Sequence, residues 1–234
     1  MNIKVFADGA AIDGILDMYH NGNVQGFTTN PSLMKKGGVT NYRQFAFDVL
    51  DEIKDMPISF EVFADDEEGM YKEAKEIASW ANNVYVKIPA LNTKGEPTYD
   101  LVKKLSSEGV KVNVTALFTY EQVEKFVEVL DESTPSIISL FAGRIADTGV
   151  DPIPYVKWSV EQAAAKSNCE VLWASTREFI NIYQAEECGC QIITVPNNIL
   201  AKRKNVGRDL QQCSLDTVQT FAKDIQSLGF EILV

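Results

Sequence analysis

The stretch VYVKIPA, Val84 to Ala90, reads as a buried strand with a lysine at its centre. Alternation along a strand puts Tyr85 and Lys87 on one face and Val84, Val86 and Ile88 on the other. The aliphatic face suits packing under helices, so Lys87 points the other way, toward the axis of a closed sheet. A buried ammonium is costly, and the residue needs either an escape to solvent or a chemical task. A lysine that snorkels to the barrel mouth and pairs with an acid is the plainer option. Polar residues at the other strand ends favour the task. The first strand ends at Asp8, the second at Thr28, Thr29 and Asn30, and the third carries Glu61. The fifth carries Asn113 and Thr115, the sixth Ser139 followed by Arg144, and the seventh ends at Ser175 followed by Arg177. Partial burial lowers a lysine pKa and nearby carboxylates raise it; a neutral amine attacks carbonyls to form a Schiff base. A lysine, two acids and a set of hydroxyl and amide donors are the equipment of an imine-forming aldolase.

The elements that must position these residues are short apolar runs alternating with longer amphipathic segments. Strands are predicted at 3–8, 24–29, 57–64, 84–89, 110–115, 136–141, 169–175 and 190–196. Helical spacing of apolar residues predicts helices over 67–81 and 120–132, the second capped by Thr119, and a third over 176–189 that ends at Gly189. Repeated strand–helix units imply an α/β fold with a parallel sheet. Eight units in 234 residues fit a single (β/α)₈ TIM barrel, whose active sites lie at the C-terminal strand ends. A doubly wound sheet would need a Gly-rich phosphate loop, and ADGAAIDG after the first strand lacks that spacing. The amphipathic segment 216–234 lies beyond the eighth unit, with an extra C-terminal helix expected over about 214–228. It is able to cap the barrel or reach a neighbouring subunit.

Composition narrows the partners. The formal net charge is −11, which argues against nucleic acid and against an anionic membrane surface. A small phosphate ligand needs only a few local donors and stays open. There are four cysteines without a C-x-x-C pair and one histidine, His20, expected at an exposed helix end, so no zinc site is expected. Reduced thiols in a cytoplasmic protein are the expectation, with no signal peptide and no membrane span.

Five stretches together carry a family resemblance. GFTTNPSL (26–33), VYVKIPA (84–90), VKVNVTALFTYEQV (110–123), FAGRIADTGVDP (141–152) and VLWASTREF (171–179) resemble the transaldolase family, in its short branch that includes fructose-6-phosphate aldolase. The resemblance runs in register from about Asp8 to the C-terminal helix. It implies transfer of a dihydroxyacetone unit between phosphosugars without a cofactor. Lys87 would be the Schiff-base lysine, Glu61 and Thr115 would handle protons through a water, and Asp8 would accept the C4 hydroxyl proton. Asn30, Asn113 and Ser139 would hold the dihydroxyacetone hydroxyls, next to Thr29, and Arg144, Ser175 and Arg177 would bind phosphate. Glu61, Phe141, Asn113 and Arg177 fall on the transaldolase side of the family, where the aldolases tend to Gln, Tyr, Gly and Lys. An apolar Phe141 would let the enamine survive until an aldehyde arrives. The chain departs from the family in Gly9, where a Thr or Ser usually follows the aspartate, and in the length of the loop LNTKGEPTYD. The resemblance also implies a homo-oligomer, a pentamer or decamer, with the C-terminal helix packed on a neighbour.

Several of these residues have structural readings. Asp8 would serve as the N-cap of the helix in GAAIDGILDMY, and Asn30-Pro31-Ser32 as a helix start. Ser175 and Thr176 would cap a helix beginning near Arg177, a place compatible with phosphate. Arg144 would pair with Asp147 or Asp151. The rival functions are an aldolase using free dihydroxyacetone, a transaldolase for a modified sugar, and a non-catalytic sugar-phosphate-binding barrel. Against the last stand Lys87, Asp8 and Glu61 together, since pure binding has no use for a Schiff-base lysine.

Overall fold

A computed structural model describes residues 2–230 and residue 232. Eight parallel strands close into a barrel in sequence order. They are β1 (Lys4–Asp8), β2 (Gly26–Thr28), β3 (Ile58–Glu61), β4 (Val84–Pro89), β5 (Val112–Leu117), β6 (Ser136–Leu140), β7 (Cys169–Trp173) and β8 (Ile192–Pro196). Helices lie between successive strands, so the expected (β/α)₈ barrel is the observed fold.

Period-two alternation sorts the apolar residues into two layers. The larger cluster includes Val84, Val86 and Ile88 of β4, packed with helix residues such as Met70, Ala74, Leu101 and Leu105. The smaller one, Phe6, Ile137, Leu172, Ala174 and Ile192 with Tyr85 against it, fills the barrel interior. Lys87 therefore shares the axis-facing side of β4 with Tyr85, as the alternation in VYVKIPA requires. Gly26 makes this interior packing possible: a Cβ there would sit 2.6 Å from the Phe6 ring.

The register sets the level of the polar residues. Asp8 pairs with Thr28 on one side and with Pro196 on the other. Glu61 pairs with Lys87, and Lys87 with Asn113. Asp8 and Glu61 end their strands and Lys87 lies two residues before the end of β4, whereas Asn113 is the second residue of β5. Between Val114 and Leu117 the β5–β6 register shifts, and Ala116 takes a φ of +59°. This bulge moves β5 two residues beyond the expected 110–115.

Helix boundaries show what local signals decide. Thr119 caps the helix Tyr120–Val129, as its sequence predicts, with Gln122 completing a capping box; the helix stops short of the expected residue 132. Asn30 caps Pro31–Lys36, accepting from Leu33 N at 2.9 Å, with Pro31 in the first turn. His20 is exposed in the last turn of Ile12–Asn21. Asp8 is not the cap of that helix, whose N-cap is Ala11 without a side-chain bond. The helix expected over 176–189 is only Asn181–Glu187. Asn181 Oδ1 accepts from the backbone N–H of Arg177 and of Glu178, at 3.1 and 2.9 Å, and holds residues 177–180 in a loop. Ser175 and Thr176 therefore cap nothing, and no helix N-terminus stands at Arg177.

The chain divides at Leu200/Ala201 into two compact units. The second contains a 3₁₀ helix, Ala201–Asn205, and the helix Leu210–Leu228. This helix starts before the expected residue 214 because Asp209 caps it, accepting from Gln212 N at 2.8 Å. It ends at Gly229, with φ +64°. Of the amphipathic segment 216–234, residues 231, 233 and 234 lie outside the described residues.

Candidate active site

A cavity of about 250 Å³ opens at the C-terminal end of the barrel. Its wall includes Asp8, Asn30, Lys87, Thr115, Ser139 and Phe141, together with Arg144, Ser175 and Arg177. Residues more than 160 positions apart in the chain meet there because strand ends do.

Lys87 is 6 % exposed. Its Nζ lies 3.1 Å from Glu61 Oε2 and donates to the Thr29 carbonyl at 2.9 Å. Glu61 does not line the cavity directly; it reaches the site through this ion pair. Its backbone is held in an unusual way. β2 stops at Thr28, opposite Ser59, and so offers Glu61 no strand neighbour on that side. The Tyr42 hydroxyl takes that place, accepting from Glu61 N at 2.8 Å and donating to Glu61 O at 3.0 Å. Burial pushes the Tyr42 phenol far above its ordinary range.

Asp8 accepts a hydrogen bond from Thr28 Oγ1 at 2.7 Å. Burial pushes its carboxyl above the usual carboxylate range, against the opposing pull of the Lys87 ammonium and the Thr28 bond. An acid held this way gives up and regains a proton closer to neutrality than a surface aspartate. The Thr115 hydroxyl is buried without a hydrogen-bond partner in the protein, on the residue before the Ala116 bulge. Buried hydroxyls are rarely left unpaired, and this one sits in the cavity wall.

Two expected residues are not in the cavity wall. Thr29 is fully buried, and its hydroxyl donates to Ser59 O at 2.9 Å. Asn113 is fully buried too; its Oδ1 accepts from Ser139 Oγ at 2.6 Å and its Nδ2 donates to Ser59 Oγ at 3.0 Å. Both support residues that do reach the cavity.

The cationic side is built around a close backbone approach. A Cβ on Gly143 would sit 1.7 Å from Ser175 O, so only glycine fits. Ser175 itself has a φ of +64°, a conformation costly for a residue with a side chain. Arg144 stacks over the Phe141 ring, 5.1 Å from its centroid. The ion pair expected for Arg144 forms elsewhere: Arg177 takes Asp147, its Nε donating to both carboxylate oxygens at 3.1 Å and its Nη2 to Oδ2. Asp151 accepts instead from Ile153 N at 3.0 Å. Gly143→Ala is expected to displace the Ser175–Arg177 loop. Affinity for phosphorylated substrates should fall about tenfold or more, with a smaller loss for unphosphorylated analogues. Equal KM values for wild type and variant would show that the loop tolerates the extra methyl.

Tyr42 and Thr194 were not singled out by sequence reasoning, and Asp147 was expected only as a partner of Arg144. Thr194 carried a usable signal, since Ile192, Thr194 and Pro196 share a strand face by alternation. Tyr42 acts from the helix Tyr42–Glu52, outside the barrel strands, and nothing local marks it.

The fold and site define a TIM barrel with a buried lysine–carboxylate pair near the C-terminal ends of its strands. KGPDC from Streptococcus mutans shares the fold, with a TM-score of 0.56, 12 % identity, and coverage of 87 % of this chain and 92 % of that one. The model of the transaldolase/fructose-6-phosphate aldolase family matches residues 5–232. The chain belongs to that family. It is 36 % identical to a probable transaldolase of Thermoanaerobacter sp. over 98 % of this chain and all of that protein. A probable transaldolase of Methanococcus maripaludis is 37 % identical over 87 % of this chain and 90 % of its own length.

Proposed function

We propose that the protein is a transaldolase that moves a dihydroxyacetone unit from a ketose phosphate to an aldose phosphate. Fructose 6-phosphate or sedoheptulose 7-phosphate would be donors, and erythrose 4-phosphate or glyceraldehyde 3-phosphate acceptors, as in the non-oxidative pentose phosphate pathway of the cytoplasm. The observation that carries this is a buried Lys87 amine 3.1 Å from Glu61, in one cavity with Asp8. Family membership supports it.

In this reading Lys87 attacks the donor C2 carbonyl. Glu61 and the Thr115 hydroxyl, through a water, exchange the protons that turn the carbinolamine into an imine with loss of water. Asp8 takes the C4 hydroxyl proton as the C3–C4 bond breaks, and the bond electrons pass into the iminium to give an enamine. The aldose leaves. The enamine carbon then attacks the acceptor aldehyde, Asp8 returns its proton to the new alkoxide, and water releases the product from Lys87. Asn30 and Ser139 orient the dihydroxyacetone hydroxyls, with support from Asn113 and Thr29. Arg144, Ser175 and Arg177 bind the phosphate; guanidinium suits that task by geometry. Phe141 offers no hydroxyl to protonate the enamine, which favours transfer over release of free dihydroxyacetone.

The test is fructose 6-phosphate with borohydride, followed by mass spectrometry, beside borohydride-free assays with and without erythrose 4-phosphate. A reduced adduct on Lys87, and glyceraldehyde 3-phosphate only when acceptor is present, are expected. Free dihydroxyacetone without acceptor would make the protein an aldolase. No adduct would point to another donor or to a binding protein.

A homo-oligomer is part of the same proposal. Leu215, Val218, Phe221, Ile225 and Leu228 recur at helical spacing on Leu210–Leu228 and are all 49–61 % exposed. An apolar stripe of this kind is stable when another surface covers it. Removing residues 209–234 should convert a pentamer or decamer to monomer by light scattering. An unchanged mass would rule the helix out as the contact.

A further inference from the structure

Asp8 is flanked by two threonines, one on each neighbouring strand. Thr28 lies opposite it on β2, and Thr194 lies on β8 two residues before its partner Pro196. Thr28 Oγ1 donates to Asp8 Oδ1 at 2.7 Å, and the Thr28 and Thr194 hydroxyls are hydrogen-bonded to each other. The two threonines are 3 % and 5 % exposed and border the cavity. Thr194 is fixed in turn, its carbonyl accepting from Thr176 Oγ1 at 2.7 Å.

A hydroxyl has one proton to donate. Once Thr28 gives its proton to Asp8, only the Thr194 proton can fill the bond between the threonines. Donation therefore runs from Thr194 to Thr28 to the Asp8 carboxylate. Accepting from Thr194 polarises the Thr28 hydroxyl and strengthens its bond to the carboxylate. When Asp8 holds a proton, the same three groups reverse: Asp8 donates to Thr28, and Thr28 to Thr194. No heavy atom has to move.

We propose that Thr194 is a positioning residue for the reaction, acting through Thr28 to hold the Asp8 carboxylate ready for the substrate proton and reversing with Thr28 once Asp8 carries it. This rests on the transaldolase reading above, in which Asp8 breaks and remakes the C3–C4 bond. The pair suits a group that must be base in one half-reaction and acid in the other, since the two bonds that link the three groups persist in both forms, the Thr194 proton turning to the cavity when Asp8 is protonated on Oδ1. The other charged groups around Asp8 are Lys87 on β4 and Glu61 on β3, with Arg144 and Arg177 also in the cavity wall. None of them is altered by a change at position 194.

The test compares Thr194→Val, which keeps the branched shape, with Thr194→Ser, which keeps the hydroxyl. With valine, kcat for cleavage and transfer should fall about tenfold. The acid limb of its pH profile should move up by about half a unit, because the carboxylate is less well stabilised. Serine should restore both. Labelling of Lys87 by dihydroxyacetone and borohydride should proceed at the wild-type rate in both variants, since that ketone has no C3–C4 bond to break. A valine variant with the wild-type profile, or serine and valine variants equally impaired with the limb unmoved, would overturn the proposal and leave the transaldolase reading intact. Failure of the wild type itself to label at Lys87 would overturn that reading and this proposal with it.

Discussion

Lys87→Met is expected to abolish transfer, lowering kcat/KM by more than about 10⁴-fold, because it removes the nucleophile and with it the imine through which every later step passes. No borohydride adduct should form with any ketose phosphate. The fold should survive. Methionine matches the lysine stem in length, but removing one partner of a buried ion pair is destabilising unless the charge left behind has an outlet. Asp8 has such an outlet. The Lys87 ammonium is the main influence holding the Asp8 carboxyl down against burial. Without it Asp8 binds a proton more readily. A melting temperature within a few degrees of wild type, with activity lost, would separate a chemical role from a structural one. Substantial residual transfer, or an adduct mapped to another lysine, would remove Lys87 from the centre of the mechanism.

Much of this arrangement was legible because a parallel barrel turns sequence order into spatial order. Each strand contributes its last axis-facing residues to one end, so reading strand ends amounts to reading the mouth of the cavity. That is why Asp8, Lys87, Thr115 and Ser139 could be placed together from patterns alone. β4 was found at its observed bounds, Val84–Pro89, since Pro89 closes an unbroken alternating run. β3 and β7 stop short of their expected ends, at Glu61 and Trp173, where irregular backbone takes over. The region after β7 was misread for a physical reason. TREFINIYQAEE has helical spacing, but Asn181 ties down the N–H groups of Arg177 and Glu178 and sets the helix start four residues later than Arg177.

Side-chain partnerships were less legible than positions. Arg144 and Arg177 both sit near Asp147 in sequence or space, and only geometry shows that Arg177 takes it while Arg144 stacks on Phe141. The clamp of Tyr42 on Glu61 joins a helix to a strand end that lacks a neighbour, a consequence of how short β2 is. Gly143 could be named as part of FAGR, but its necessity comes from Ser175 O, thirty-two positions further on.

Asp8→Asn is expected to uncouple the two halves of the chemistry. Asparagine keeps the shape and a hydrogen-bonding contact with Thr28, but it cannot take the C4 hydroxyl proton. Cleavage and transfer should fall by about 10²- to 10⁴-fold, while dihydroxyacetone and borohydride still label Lys87. Stability should move the other way. The Asp8 pKa is raised on folding, so its ionised form is disfavoured in the native protein. The sign follows from linkage: such a group favours the folded state fully below its unfolded pKa of about 3.8, and that contribution is lost as pH rises through the folded value. At neutral pH the native protein therefore carries the cost of a buried carboxylate that asparagine does not impose. Asp8→Asn should melt higher than wild type at pH 7, and the difference should shrink as the pH is lowered toward 4. A variant that melts lower at pH 7 would mean that the Asp8 carboxylate is held by attraction to Lys87 more strongly than burial opposes it. Loss of Lys87 labelling in the same variant would instead place Asp8 in imine formation, and the division of labour between Asp8 and Glu61 would have to be redrawn.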